Sequence, residues 1–171
     1  ANSIVYRISK DGGKSWTPIK TALAGTPGAE KIGYSDPSFV VDRTTGTIFL
    51  FSVKSYDAGL FQSQLGTDPA ARNILHAHVV ESHDNGETWV NPRTITDQVT
   101  AGYEGKWFTR FASSGEGIQL RYGAHAGRLI QQYAVANAGT TSLMAVSVYS
   151  DDHGVTWKPG APTEGSADEN K

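Results

Sequence analysis

The sequence predicts an all-β fold made by repeating one four-stranded antiparallel unit, the architecture of part of a β-propeller. Three observations carry that prediction. The pattern Ser-x-Asp-x-Gly-x-x-Trp is written three times, at residues 9–16, 82–89 and 150–157. The copies start 73 and 68 residues apart, the spacing of a supersecondary repeat. Each copy also follows an alternating or β-branched run, and no stretch carries a confident helical period.

The motif reads as a turn leaving a strand. Its Asp (Asp11, Asp84, Asp152) can accept hydrogen bonds from the backbone of its own loop. Its Gly (Gly13, Gly86, Gly154) supplies a positive φ. Its Trp (Trp16, Trp89, Trp157) returns a large ring toward the sheet, so each of these rings is expected to be buried. Such a turn is a structural staple and says nothing of catalysis.

In chain order, residues 4–8 read as a strand into the first turn, and 18–22 as the strand out of it. Residues 25–28 are a loop. Residues 38–42 and 47–55 are strands joined by a tight turn at 43–46. Residues 57–73 form a polar connector, long enough to suggest a functional loop. Residues 74–81 lead into the second turn and 93–99 read as the strand out of it. Short strands follow at 108–112 and 117–120, then a pair at 128–136 and 142–149, then the third turn and a Pro/Gly loop at 158–167. Each repeat thus holds about four strands, two of them flanking the motif. Three motifs make roughly two whole blades and parts of their neighbours, and a closed ring needs more.

Composition narrows the function classes. Fifteen basic against seventeen acidic residues give a net charge of −2, with the basic residues scattered, so neither nucleic acid nor an anionic membrane is an expected partner. There is no cysteine, hence no thiol chemistry. No apolar run approaches the ~20 residues that span a bilayer, so membrane insertion is not expected. The chain opens directly on strand pattern and stops without a terminating element, as expected of an internal piece of a longer protein.

The triple motif resembles the Asp-box repeats of sialidases. The blocks GYSDPSFVVDRTTGTIF (33–49), GEGIQL (115–120), GRLIQQY (127–133), AVSVYSDDHGVTW (145–157) and DENK (168–171) are similar to a bacterial secreted exo-α-sialidase. The resemblance implies a fragment, residues 1–171, of one six-bladed catalytic propeller, secreted or displayed on a bacterial surface. It also implies sialylated glycans as partners, no cofactor and no metal. In this family three arginines clamp the sugar carboxylate, because a guanidinium fork is bidentate and always charged. A Tyr is the nucleophile, a departure from the usual pair of carboxylates. A Glu beside it takes the phenol proton, and an Asp protonates the leaving oxygen.

Carried over by position, the resemblance gives Glu169 the role of the Tyr-activating base. Asp36 becomes a pocket carboxylate that binds polar groups of the sugar. Val53 and Phe111 become the lining for its N-acetyl methyl. The first clamp Arg and the acid Asp are expected just before Ala1, and the second clamp Arg, the third and the Tyr after Lys171, so the rest of the propeller is needed to complete the site. The alternative is a non-catalytic Asp-box propeller that binds glycan or protein.

Other residues have plainer readings. His76 and His78 alternate on one strand face without an obvious carboxylate or cysteine partner, so no metal site is expected. His83 and His153 fill variable motif positions and should be exposed. Arg110 and Arg128 do not match the clamp positions and read as structural. Tyr133 and Tyr149 read as core or sheet face.

Overall fold

Residues 33–94 form one antiparallel meander in a computed structural model that describes residues 1–167 of the chain. Its strands are β3 (Gly33–Asp42), β4 (Thr47–Ser55), β5 (His76–Ser82) and β6 (Val90–Thr94), in the order β6-β5-β4-β3. Alternation in β4 explains why it lies in the middle. Phe49 and Phe51 face one core cluster while Leu50, between them, faces another, so both faces are buried. Pro37 lies inside β3 at a bulge between Ser35 and Ser38, where its missing N–H breaks no regular ladder.

A second meander has the order β7 (Trp107–Ala112), β10 (Leu129–Asn137), β11 (Met144–Ser150), β12 (Lys158–Pro159). Two short strands lace it to the first. β8 (Gly115–Glu116) pairs in parallel with β3, and β9 (Ile118–Gln119) pairs with β10. Ahead of both meanders, β1 (Ile4–Tyr6) and β2 (Lys20–Leu23) form a two-stranded hairpin. All three motifs occupy equivalent turns: β1–β2, β5–β6 and β11–β12. The hairpin is therefore the outer half of a blade, followed by two full blades, as the repeat spacing predicts.

The predicted strand at 93–99 is corrected by the structure. β6 ends at Thr94, and a helical turn, α1 (Thr96–Val99), follows. Ile95 and Val99, four residues apart, both enter the core between the two blades, which is a helical spacing and not an alternating one. At the other end, β12 begins in what reads as a loop.

The motif geometry is the same each time. The Ser hydroxyl donates to the Asp Oδ1 at 2.7–2.9 Å and accepts the N–H of the motif Gly at 2.7–2.8 Å. The Asp also accepts both the backbone N–H and the hydroxyl of the seventh residue, Ser15, Thr88 or Thr156. That hydroxyl is common to all three copies and is part of the motif, which the spacing pattern left open. These donors hold Asp11 and Asp84 at a pKa of about 2.

The three tryptophans differ, which corrects the expectation that all are buried. Trp16 is 57 % exposed, Trp89 is half-buried, and Trp157 is 1 % exposed. The second and third motifs pack against the sheet that precedes them in the chain. Trp157 meets Phe49 and Phe51 edge-on in the complete blade before it. Trp89 meets Tyr6 of the hairpin and Phe39. Trp16 has no preceding sheet among the described residues. Exposure thus tracks how much of the preceding blade is present.

Candidate functional site

The ends of the strands opposite the motif turns carry the candidate site. At the start of β3, Asp36 sits in the bulge with φ of 52°, a left-handed conformation that costs a non-glycine residue about 1–3 kcal/mol. The Ser35 hydroxyl donates to its Oδ2 at 2.6 Å. Strained residues concentrate at sites where the surrounding structure imposes an orientation. Here the imposed orientation puts Asp36 on the wall of a cavity of about 170 Å3.

The same cavity is lined by Val53 from β4 and Phe111 from β7. The three described residues singled out in the sequence, 36, 53 and 111, therefore meet in one place. Val53 and Phe111 belong to a cluster with Leu75 and Ala134, with Leu60 and Leu143 packed on it. Sequence reasoning missed the rest of the lining: Ser35, Ser55, Leu75 and the stretch Ala58, Gly59, Leu60. The signal was there for the stretch, since it belongs to the long 57–73 connector. The cavity has an apolar floor with one carboxylate and two hydroxyls. It suits a small apolar group flanked by hydrogen-bond donors.

Glu169 lies outside the described residues. The last described residue, Ala167, is held close to the cavity cluster. The Ala167 N–H donates to Leu143 O at 2.7 Å, and Leu143 packs on the cluster holding Val53 and Phe111.

The connector 57–73 is tied down at several points. The Ser63 hydroxyl donates to Phe108 O at 2.6 Å and accepts the Leu75 N–H at 3.0 Å. Arg110, with no exposed surface, donates from Nη1 to Gly66 O at 3.0 Å and from Nη2 to Trp107 O at 3.1 Å. Burial lowers its pKa to about 10, so it stays charged at neutral pH. His76 bonds Ala71 O through Nε2 at 2.8 Å, which makes that nitrogen the donor.

His76 and His78 are both buried, and His78 packs against Tyr34. Burial, then Lys54, Arg93 and His76, push the His78 pKa down to about 4. No cluster of three or more potential metal ligands occurs among the described residues. Arg128 pairs with Asp151 at 2.7 Å and lies over the Tyr149 ring, and Tyr133 is fully buried, all in keeping with structural roles.

Comparison with known proteins agrees with the repeat architecture. Residues 2–171 match the model of the BNR repeat-like domain. The chain is 54 % identical to a sialidase of Micromonospora viridifaciens over 99 % of its own length and 26 % of the relative's. It is 31 % identical to human Sialidase-4 over 81 % of its length and 29 % of the relative's. Among solved structures, the Hadza microbial sialidase Hz136 superposes with a TM-score of 0.81 at 27 % identity, covering 95 % of this chain and 31 % of that one. The chain thus spans between a quarter and a third of the length of these proteins. With its three motif turns, one on a two-stranded hairpin and two on successive four-stranded meanders, the chain belongs to the BNR repeat-like domain family.

Proposed function

We propose that residues 1–171 are part of the single catalytic propeller, six-bladed when complete, of a secreted or surface-bound exo-sialidase. The enzyme removes terminal α-linked sialic acids from glycoconjugates. The observation that carries this reading is the convergence of Asp36, Val53 and Phe111 on one cavity. The likeness to sialidases along nearly the whole chain supports it.

In this reading Val53 and Phe111 receive the N-acetyl methyl of the sugar, and Asp36 accepts hydrogen bonds from its polar groups. A charge-assisted bond of that kind contributes about 1.5–3 kcal/mol to binding. The reaction retains configuration through a Tyr nucleophile outside these residues. A phenol with a pKa of ~10 attacks poorly at neutral pH, and a carboxylate in contact with it removes the proton as the bond forms. Glu169 takes that role. The similarity of residues 168–171 to the family segment that holds this Glu supports the assignment.

The test uses the full-length protein and an activated aryl α-sialoside. Wild type hydrolyses it. Glu169→Gln, which keeps shape and removes the base, slows turnover by about 10²–10⁴-fold while binding of an unreactive sialic acid analogue changes little. Wild-type turnover in that variant on both aryl sialosides and sialyl-lactose would exclude Glu169 as the base. Binding of sialosides by the full-length protein without hydrolysis would favour the lectin-like alternative.

A further inference from the structure

The cavity has one wall that does not belong to a strand. Ala58, Gly59 and Leu60 come from the connector between β4 and β5, while the facing Phe111 comes from β7 of the next blade. The connector's internal bonds, Asp57 N–H to Arg72 O and Gln64 N–H to Asn73 O, close the loop on itself but do not reach β7. The connector contains only a three-residue 3-10 turn, Leu60–Gln62, without a side-chain cap. Across to β7 it is tied by two side-chain bonds, described above: Ser63 to Phe108 O, and Arg110 to Gly66 O.

Both are costly arrangements. Ser63 is buried and its hydroxyl bridges Phe108 O and the Leu75 N–H, so one oxygen ties the connector to β7 and to the residue just before β5. Arg110 is a fully buried cation whose only hydrogen-bond partners among the described residues are two backbone carbonyls, and its Nε has none. A buried charge is expensive unless it is well paired. An apolar residue at 110 would avoid that cost. Its use here is a rigid two-pronged link between Trp107 O on β7 and Gly66 O on the connector. Phe111, the next residue on β7, points into the cavity. Strand and connector are therefore indexed to each other within a few residues of both cavity walls.

We infer that Arg110 and Ser63 are positioning residues that set the gap between Leu60 and Phe111, and through it the size of the acyl group the cavity accepts. The inference rests on the proposed sialoside reading. Neither residue touches the ligand. Arg110 acts through Gly66 and Ser63 through Phe108 O and Leu75, and both hold the wall that discriminates.

The experiment compares full-length wild type with Ser63→Ala, Arg110→Lys and Arg110→Met on N-acetyl and N-glycolyl aryl sialosides. Amide hydrogen exchange over residues 57–75 is followed in parallel. Wild-type hydrolysis of either sialoside tests the sialoside reading by itself. Ser63→Ala and Arg110→Met are expected to speed exchange in that segment. They should also shrink the N-acetyl over N-glycolyl ratio in kcat/KM roughly tenfold, mainly through KM. Arg110→Lys, which can keep one of the two bonds, should fall between them and wild type. Should Arg110→Met fail to fold, Ser63→Ala and Arg110→Lys carry the test. Faster exchange with an unchanged ratio would make the bonds merely structural and overturn the inference, as would unchanged exchange. An equal loss of kcat on both substrates would overturn it too.

Discussion

Nδ1 of His153 lies 2.7 Å from Oδ2 of Asp42, joining the third motif turn to the base of the preceding blade. Asp42 has no exposed surface. Its Oδ1 accepts the Thr44 N–H and the Gln119 side-chain amide, each at 2.9 Å. His153 has a φ of 56°, at the motif position where the other copies place Gly12 and Asn85. It keeps a left-handed backbone that glycine would adopt more cheaply, and in return its ring reaches a buried carboxylate. Reading His153 only as an exposed variable residue misses that link.

His153→Ala should therefore destabilise the protein by about 1–3 kcal/mol at pH 7, since a buried carboxylate loses a donor. Burial raises the Asp42 pKa, but His153, Thr44, Thr45 and Gln119 outweigh it and hold the group below its usual range. A depressed carboxyl adds stability above its unfolded value and loses it as pH falls toward the folded one. Without His153 the folded value moves back up toward the unfolded one, so the variant should lose less stability to acid and the two curves should converge as pH falls. Urea unfolding of both proteins from pH 7 to pH 3 measures this, and superimposable stability curves would count against the link.

The buried histidines give a second pH dependence. His78 has its pKa lowered from 6.5 to about 4, so the unfolded chain takes up the proton first. Stability is then greatest above pH 6.5 and falls as pH drops toward 4, by about 3 kcal/mol for this group. His78→Phe, which keeps a ring beside Tyr34, should flatten that limb. A limb of unchanged slope in the variant would show that His78 is not its source.

The graded burial of the motif tryptophans predicts graded costs. In the 171-residue chain, Trp157→Ala should cost about 3–5 kcal/mol and Trp89→Ala less. Trp16→Ala should cost under about 0.5 kcal/mol, as at an exposed surface position. In the full-length protein Trp16→Ala should cost about as much as Trp157→Ala. Equal costs at all three positions in the short chain would break the relation between Trp burial and the preceding blade.

Gly154 offers a sharper probe of the same contact. It has φ of 82°, and a Cβ there would overlap the Phe49 ring. Gly46, in the β3–β4 turn, has φ of 79° and open space around it. Gly46→Ala should cost about 1 kcal/mol for the backbone alone, and Gly154→Ala about 1–3 kcal/mol more for the clash. Thermal unfolding of the pair separates the two terms, and equal losses would mean Phe49 yields freely.

Asp36→Ala in the full-length protein should lower kcat/KM on sialosides about ten- to a hundredfold or more. Stability should change little, because Ser35 is its only side-chain partner among the described residues. Unaltered kinetics would leave Asp36 as a bulge residue.

What could be read from the chain and what could not divides by sequence distance. The motif turns are local: Ser, Asp and Gly close a ring within five residues, so three copies were enough to find them. The seventh-position hydroxyl, Ser15, Thr88 or Thr156, was equally local, but two residue types hid it from a fixed pattern. The helical turn at Thr96–Val99 was missed because four residues carry too few repeats to separate one period from the other. Asp42 and His153 stand 111 residues apart, and so does nothing to announce their pairing. Asp36, Val53 and Phe111 were found through resemblance, since only the crossing of two blades brings them together.

The way the second and third motif turns lean on the preceding sheet makes the blade contact head-to-tail, with unlike surfaces on its two sides. Interfaces of that kind either close into a ring or continue without limit. Trp16, Val5 and Ile19 are 57 %, 54 % and 61 % exposed, and they form the unfilled half of such a contact. A partial set of blades therefore carries an adhesive start and should string together end to end, with length rising with concentration. Closure within one chain removes that tendency, so solubility of the whole is a property of its circularity and not of any single blade.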